Sequence, residues 1–106
     1  MNSAATYQGT VVVIPTRNRA GLAANAARSV LSRPDAGMRV LVSDNSTSEQ
    51  EASELARLCG EIGDSRLRLV RPPEPLAMSA HWNWAMRQAL EYDASHFTFL
   101  TDRMLF

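Results

Sequence analysis

Polar side chains that could bind phosphate or ribose directly follow the first apolar run of the sequence. That run ends at Ile14, and the residues after it are Pro15, Thr16, Arg17, Asn18 and Arg19. Guanidinium groups pair with phosphate in a two-point geometry, and a helix N-terminus adds N–H donors and a favourable dipole. This segment therefore suits a nucleoside diphosphate. Helix capping by Thr16 or Asn18, with both arginines in solvent, fits the same residues equally well.

Two carboxylates follow later apolar runs. Asp44 comes after the run RVLVS, and Asp102 comes after HFTFLT. Asp44 could accept a hydrogen bond from a ribose hydroxyl or a base N–H, although aspartate is also a common turn residue. Asp102 could ligate Mg²⁺ or Mn²⁺ between two phosphates, but a single carboxylate is a weak metal site. Its neighbour Arg103 could instead offset phosphate charge itself or pair with Asp102.

A third group of polar residues opens the last amphipathic segment. Asn83 could hydrogen-bond across the loops or be an ordinary surface amide, and both interpretations stay open. Trp82 is expected in the core and His81 in a capping turn. No Gly-x-Gly-x-x-Gly follows the first apolar run, and no P-loop motif occurs in the sequence. Dinucleotide-binding and P-loop functions are therefore disfavoured.

The elements that must position these residues alternate along the chain. Strands are predicted from the apolar or alternating runs at 10–14, 39–43, 66–71 and 96–101. Helices are predicted from apolar spacings of three and four residues at 20–32, 48–59 and 78–92. This β-α-β-α-β-α-β alternation predicts a parallel sheet with helices on both faces, a three-layer Rossmann-like half domain. The predicted strand order is 3-2-1-4, and the polar loops should meet beyond the carboxyl ends of the strands.

Individual residues also predict where two of these elements begin or end. Pro15 is expected to end the first strand, because proline cannot donate a hydrogen bond to a neighbouring strand. Ser48 and Glu51 are spaced as a capping box at the start of the second helix.

Composition narrows the class of protein. The chain has 106 residues, with 11 basic residues, all of them arginines, against 11 acidic residues, and this balance argues against a nucleic-acid partner. No apolar run is long enough to cross a bilayer. The single cysteine, Cys59, excludes an internal disulfide and fits a reducing, cytoplasmic compartment.

We expect one domain over 1–106 with a loose arm at 1–8. An apolar run at the end suggests truncation and self-association through the edge of the fourth strand.

Taken together, these motifs resemble the nucleotide-binding half of a family 2 glycosyltransferase with the GT-A fold. Residues 12–19 (VVIPTRNR) resemble the opening strand and PTYNR loop of that family, and 42–47 (VSDNST) resemble its VDDGST segment. Residues 76–85, with His-Trp-Asn, resemble its NWN stretch, and 97–104 resemble the strand that carries its Asp-x-Asp metal motif. The resemblance covers nearly the whole chain.

The resemblance implies a nucleotide-sugar donor, most often a UDP-sugar, and transfer to an unidentified acceptor hydroxyl with inversion. It implies a divalent Mg²⁺ or Mn²⁺ held through Asp102. The implied nucleotide-binding residues are Pro15, Thr16, Arg17, Asn18, Arg19, Asp44, Asn83, Asp102 and Arg103.

The chain departs from the family pattern at the metal motif, which reads Asp102-Arg103-Met104 and lacks its later acidic residue. This leaves two alternatives open: Arg103 stabilises the diphosphate in the place of a metal, or the protein is a catalytically inactive nucleotide-sugar-binding module. The region expected to carry the catalytic base lies beyond this segment, which should therefore be inactive alone. A nucleotidyltransferase is disfavoured, because its glycine-rich loop is missing.

Overall fold

The chain folds into a parallel sheet between two layers of helices. The structure is a computed structural model and describes residues 7–33, 37–92 and 94–101. The strands are β1 (Tyr7–Thr16), β2 (Met38–Asp44), β3 (Leu67–Val70) and β4 (Ala94–Phe99). The helices are α1 (Ala20–Leu31), α2 (Glu49–Ile62) and α3 (Met78–Leu90). The strand order β3-β2-β1-β4, with every pairing parallel, confirms the predicted fold class.

The valine run of β1 is the centre of the core. Residues 11–14 are completely buried, and alternate side chains point to opposite faces of the sheet. Val12 and Ile14 pack in the layer that holds α1 and α2. Val11 and Val13 pack against α3. Burying a valine or isoleucine stabilises the fold by about 1.5–3 kcal/mol, so this run holds both helical layers to one strand.

Pro15 does not end β1, contrary to the prediction. It pairs in register with Ser43, and the strand continues to Thr16. The carbonyl of Val13 accepts a hydrogen bond from the β4 side, whereas the carbonyl of Thr16 accepts one from the β2 side. Successive residues of a strand alternate between neighbours, so the nitrogen of Pro15 faces the β4 side. The register with β4 ends at Val13↔Phe99, and Pro15 therefore costs no hydrogen bond within the described pairing.

The second helix runs past its predicted end near Cys59. It reaches Ile62 and stops at Gly63, which has a φ of +60° and donates its N–H to the Cys59 carbonyl at 3.3 Å. A left-handed glycine is a common helix terminator, whereas Gly60 is tolerated inside the helix. Burial raises the pKa of the Cys59 thiol.

The third helix buries His81 and two alanines, and it leaves Trp82 and Leu90 exposed. Ala85 and Ala89 face the sheet, while Leu90 is exposed. Trp82, expected in the core, is 38% exposed and stacks on Phe99 of β4 with a ring-centroid distance of 4.9 Å. The alanines bring the helix axis close to the sheet, and this leaves no room beneath them for an indole.

Some sequence-based expectations fall at the margins of the described residues. The arm predicted at 1–8 overlaps β1, which begins at Tyr7, and residues 1–6 lie outside the described residues. Asp102 and Arg103 also lie outside them.

Within the described residues, no helix has the length and apolar character needed to span a membrane.

Arg66 joins the end of α1 to the turn before β3. Its guanidinium donates to the carbonyls of Leu31 at 2.8 Å and Arg33 at 3.0 Å. It also pairs with Asp64 at 2.8 Å and, mainly through this hydrogen bonding, lowers the pKa of that carboxyl to about 2. The carbonyls at a helix end lack partners within the helix, so Arg66 supplies donors that the helix cannot.

We predict that Arg66→Ala lowers the free energy of unfolding by about 1.5–3 kcal/mol, because it removes charge-assisted hydrogen bonds to half-buried groups. Urea denaturation measures this change. Arg57→Ala is the matched control, because among the described residues Arg57 forms only exposed ion pairs, with Glu54 and Glu61 on α2, and we expect a much smaller loss. Equal losses in the two variants would contradict the role given to Arg66.

Candidate functional site

The carboxyl ends of the strands meet at one edge of the sheet, as predicted. Thr16 at the end of β1 lies in register with Asp44 at the end of β2. The Asn45 N–H donates to the Thr16 carbonyl at 2.8 Å, so the loops after the two strands start side by side. β4 runs parallel to β1 and ends toward the same edge. The segment after β1 and the segment after β2 therefore form one continuous rim.

Asp44 is a buried carboxylate that points one oxygen into its own loop. Only 2% of the residue is exposed. Its Oδ1 accepts hydrogen bonds from the Ser46 N–H at 2.9 Å and from the Ser46 hydroxyl. Among the described residues, no group hydrogen-bonds to Oδ2. Because a buried carboxylate needs hydrogen-bond donors, Oδ2 is the natural acceptor for a donor on a ligand.

Asn18 locks the loop after β1 onto the loop after β2. Its backbone is left-handed, with a φ of +55°, a conformation that asparagine tolerates better than most residues. Its side-chain Oδ1 accepts from the N–H groups of Thr47 and Ser48, each at 3.0 Å. Its Nδ2 donates to the Thr47 hydroxyl at 2.9 Å. The amide is thus engaged within the protein, with the two residues that precede α2, and it does not cap α1.

The start of α1 is capped from the neighbouring helix. The Ala20 N–H donates to Oε1 of Glu51 at 3.0 Å. Ser48 caps α2 by accepting from the Glu51 N–H at 3.2 Å, which is one half of the predicted capping box. The Glu51 carboxylate does not complete the other half; it serves α1 instead. A negative side chain therefore already occupies part of the helix N-terminus that the sequence suggested for phosphate.

Asn45 holds the segment after β3 against this rim. Its buried side chain donates to the Leu76 carbonyl at 2.7 Å and accepts from the Leu76 N–H at 2.8 Å. The amide thereby replaces a strand partner for Leu76. We call these two hydrogen bonds the Asn45–Leu76 clasp. The proline-rich residues 72–75 lie between Leu76 and the end of β3, so the clasp holds them in place as one wall of the site.

A cavity of about 420 Å³ lies between the rim and this wall. Ligand pockets typically measure about 300–1,000 Å³, so the cavity is large enough for part of a nucleotide. The lining residues are Asp44, Asn45, Ser46, Thr47, Glu49, Arg71, Pro72, Pro73, Glu74 and Pro75. A smaller cavity of about 210 Å³ shares Asp44 and Arg71 with the first and continues toward α2.

Arg71 is the positively charged side chain that lines this cavity. Its guanidinium pairs with Glu49 at 3.0 Å and donates to the Ser46 carbonyl at 3.3 Å. Hydrogen bonding to Glu49 raises the pKa of Arg71, and the charge of Asp44 adds to this effect. A carboxylate acceptor and a guanidinium donor thus line the same space.

His81 lies behind the rim, on the face of the sheet that α3 covers. The structure places it inside α3 rather than in the expected capping turn. Its ring is buried, and Nε2 lies 2.8 Å from the buried Ser43 hydroxyl, with which it shares a hydrogen bond. Burial lowers the pKa of His81, while the nearby charge of Asp44 opposes this shift and that of Arg17 adds to it. The neutral imidazole is therefore the form that the fold favours.

The structure places the predicted site residues in different settings. Pro15 and Thr16 are buried at the end of β1, and Arg17 and Arg19 are exposed at the rim beside the Asp44 loop. Asn83 is exposed on α3 and outside the lining of both cavities. Asp102 and Arg103 lie outside the described residues. Their roles and that of Asn83 stay predictions.

Sequence reasoning missed Arg71 and the wall at 72–75 as parts of the cavity. The signal was present, because these residues follow a predicted strand and should lie at the same carboxyl edge. Asn45 and Ser46 were visible only as polar turn residues. Their function depends on Leu76 and Asn18, which are distant in the sequence.

The donor set for a metal ion is incomplete in the described part of the chain. No cluster of three or more histidine, cysteine, aspartate or glutamate side chains there could hold a metal. Mg²⁺ and Mn²⁺ prefer several oxygen ligands, so the residues described so far do not fit a protein-held metal by themselves.

Comparisons with known proteins agree with this geometry. Residues 11–102 match the model of Glycosyl transferase family 2, so the chain belongs to that family. A search of curated proteins gives no significant match.

Solved structures extend this result to the fold. One similar structure is a mannosyltransferase, PcManGT from Pyrobaculum calidifontis, in complex with GDP-Man and Mn²⁺. It is 25% identical over 79% of this chain and 25% of its own, with a TM-score of 0.63. TarS from S. aureus, residues 1–349, is 15% identical over 91% of this chain and 28% of its own, with a TM-score of 0.69. The sheet is thus a GT-A, Rossmann-like half domain, and the chain spans about a quarter of the length of these two structures.

We predict that Asn18→Ala destabilises the protein more than Asn18→Gly, by about 1 kcal/mol, as measured by urea denaturation. Both variants lose the side-chain hydrogen bonds to 47–48, but alanine also carries the cost of a left-handed backbone. Asn25→Ala is the control, because Asn25 is exposed on α1 and bonds only to Arg28 among the described residues; we expect a change within about 0.5 kcal/mol. A glycine variant less stable than the alanine variant would refute the conformational argument.

We predict that His81 makes stability fall as the pH drops below 6.5, the ordinary pKa of histidine. The unfolded chain binds a proton there, while the buried ring stays neutral. The unfolded state therefore gains up to about 1.4 kcal/mol for each pH unit until the folded-state pKa is reached. Thermal unfolding from pH 7.5 to 5.5 measures the effect.

His81→Gln should show a weaker pH dependence than the wild type, because glutamine does not titrate. His96→Asn is the matched control, because His96 is the exposed histidine on β4 and should leave the wild-type dependence in place. Identical pH profiles for His81→Gln and the wild type would exclude this role of His81.

Proposed function

We propose that this chain binds the nucleoside diphosphate of a nucleotide sugar and is the donor-binding part of a glycosyltransferase. The observation that carries the proposal is the cavity at the carboxyl edge, which is lined by both Arg71 and Asp44, whose Oδ2 has no hydrogen bond among the described residues. Family membership supplies the chemical context. The similar mannosyltransferase was solved with GDP-Man and Mn²⁺, which supports a nucleotide sugar as the ligand.

The nucleoside would occupy the cavity. Oδ2 of Asp44 would accept from a ribose hydroxyl or a base N–H, and Arg71 would donate to a carbonyl or a ring nitrogen of the base. The prolines at 72–75 add a stiff, flat wall. The side-chain hydrogen bonds of Asn18 and Asn45 hold these groups in place before the ligand arrives, which lowers the entropy cost of binding.

The diphosphate would lie toward the loop after β1. Arg17 and Arg19 are exposed there, beside the Asp44 loop, and guanidinium groups suit phosphate recognition. Glu51 already caps α1, so the arginine side chains, rather than that helix N-terminus, are the main cationic groups for phosphate. Asp102 and Arg103, which follow β4 in the sequence, are the residues we expect to complete the site. A UDP-sugar is the donor we expect, as in the family in general.

Sugar transfer itself would belong to a longer protein, with inversion at the anomeric carbon. Asp102 would be the residue to hold a Mg²⁺ or Mn²⁺, which would offset charge on the leaving diphosphate; without a metal, Arg103 would take that role. The alternative, an inactive nucleotide-sugar-binding module, is favoured by the missing acidic residue in Asp102-Arg103-Met104. Hydrolysis of the donor by a longer chain that contains this segment would decide for the enzyme, and tight binding without hydrolysis would decide for the module.

We predict that UDP or GDP raises the free energy of unfolding by about 2.7 kcal/mol at 100 times its dissociation constant. Thermal shift and calorimetry with and without Mn²⁺ measure the effect and its metal dependence. Asp44→Asn should weaken binding by tenfold or more, because it removes a charged hydrogen-bond acceptor.

Asp64→Asn is the control for Asp44→Asn. Asp64 pairs with Arg66 next to the end of α1, outside the lining of both cavities. This variant should lose stability but bind the nucleotide like the wild type. If neither UDP nor GDP stabilises the wild type under any metal condition, the proposal is wrong.

A further inference from the structure

Ser46 lies at the crossing point of the two loops that form the rim. Its hydroxyl is within hydrogen-bond distance of two groups: the Asn18 N–H, at 2.8 Å, and Oδ1 of Asp44. The residue is buried, with 2% of its surface exposed. Water therefore has little access to this hydroxyl, and its hydrogen bonds must come from the protein.

The chemistry of the three groups fixes the direction of these bonds. A backbone N–H can only donate, and a carboxylate oxygen can only accept. The single hydroxyl proton of Ser46 therefore points to Asp44, and a lone pair of the same oxygen accepts from Asn18. The result is a one-way chain, from the Asn18 N–H through the Ser46 hydroxyl to Asp44.

This chain decides which oxygen of Asp44 is available. The Ser46 N–H and the Ser46 hydroxyl both bond to Oδ1. Rotating the carboxylate by half a turn would exchange its oxygens without changing the contacts, but a partial rotation would break both bonds. The plane of the carboxylate is therefore held, with Oδ1 bonded to Ser46 and Oδ2 without a hydrogen bond among the described residues, in a side chain that lines the cavity.

We propose that Ser46 is a positioning residue for nucleoside recognition: its hydroxyl, held by Asn18, keeps the Asp44 carboxylate in the plane that presents one oxygen to the nucleoside. The inference rests on the proposed function, because it assumes that a nucleoside occupies the cavity. It assigns a role to a hydroxyl that is fully used in hydrogen bonds within the protein, and it gives Asn18 an indirect role in place of the direct contact expected from the sequence.

The proposal distinguishes the two halves of the ligand. Ribose hydroxyls and base N–H groups donate to Asp44, whereas a fully ionised diphosphate has no donor to offer. Loss of the Ser46 hydroxyl should therefore weaken binding of the nucleoside part and leave binding of the phosphates unchanged. General damage to the loop would weaken both.

The first experiment compares UDP with inorganic pyrophosphate by calorimetry, in the wild type and in Ser46→Ala. We expect Ser46→Ala to bind UDP about tenfold more weakly and to bind pyrophosphate within twofold of the wild type. Ser46→Thr keeps the hydroxyl and should recover most of the lost affinity. Ser32→Ala is the control, because Ser32 is an exposed serine that bonds locally to the Ser29 carbonyl, and it should bind both ligands normally.

The second experiment is a double-mutant cycle with UDP as the only ligand. If Ser46 acts through Asp44, adding Ser46→Ala to Asp44→Asn should change the affinity by less than twofold. Independent, multiplicative effects of the two substitutions would overturn the proposal, as would an equal loss of UDP and pyrophosphate binding in Ser46→Ala. Failure of the wild type to bind UDP or GDP is a different result, which removes the proposed function and this inference with it.

Discussion

The need to bury a carboxylate governs the architecture of the candidate site. Asp44 ends a strand in which every residue except Arg39 is buried, so its side chain is taken out of water with them. An unpartnered buried charge is costly, and the chain meets this cost with hydrogen bonds from Ser46. Ser46 in turn requires the Asn18 N–H in a left-handed turn. The conformation of two loops thus follows from one charge.

The contact between Glu51 and the start of α1 limits where an anion can bind. The capping box predicted within α2 became a bridge between helices, because the Glu51 carboxylate reaches the start of α1. This bridge ties the two helices at the rim and stabilises both N-termini. It also puts negative charge where a phosphate was expected from the pattern alone. Phosphate recognition in this chain therefore depends on arginine side chains more than on a helix dipole.

The cavity is shared by consecutive β-α units rather than by one motif. The loop after β2 supplies the acceptor, and the segment after β3 supplies the guanidinium and the proline wall. The clasp between Asn45 and Leu76 joins these two parts. A similar structure solved with GDP-Man and Mn²⁺ shares this half domain and is about three times as long, since 79% of this chain matches 25% of that one. The aromatic stack of Trp82 on Phe99 leaves an exposed apolar surface next to β4.

The alternation of apolar runs determined the sheet, its order and the edge at which polar loops gather. That information is local, because a run such as TVVVI can only be buried on both faces, and parallel strands joined by helices have few arrangements. Even so, the prediction that β1 ends at Pro15 was wrong, because the cost of a proline in a strand depends on which neighbouring strand its nitrogen faces.

Only the tertiary structure decided what each polar residue does at that edge. Asn18 and Glu51 read as local caps in the sequence, yet their partners lie about thirty residues away. Burial of His81 and exposure of Trp82 reversed what residue type suggests, because close packing of Ala85 and Ala89 set the rotation of α3. The physical reason is common to these cases: a hydrogen bond between loops depends on distances that the fold creates, and residue spacing along the chain does not encode them.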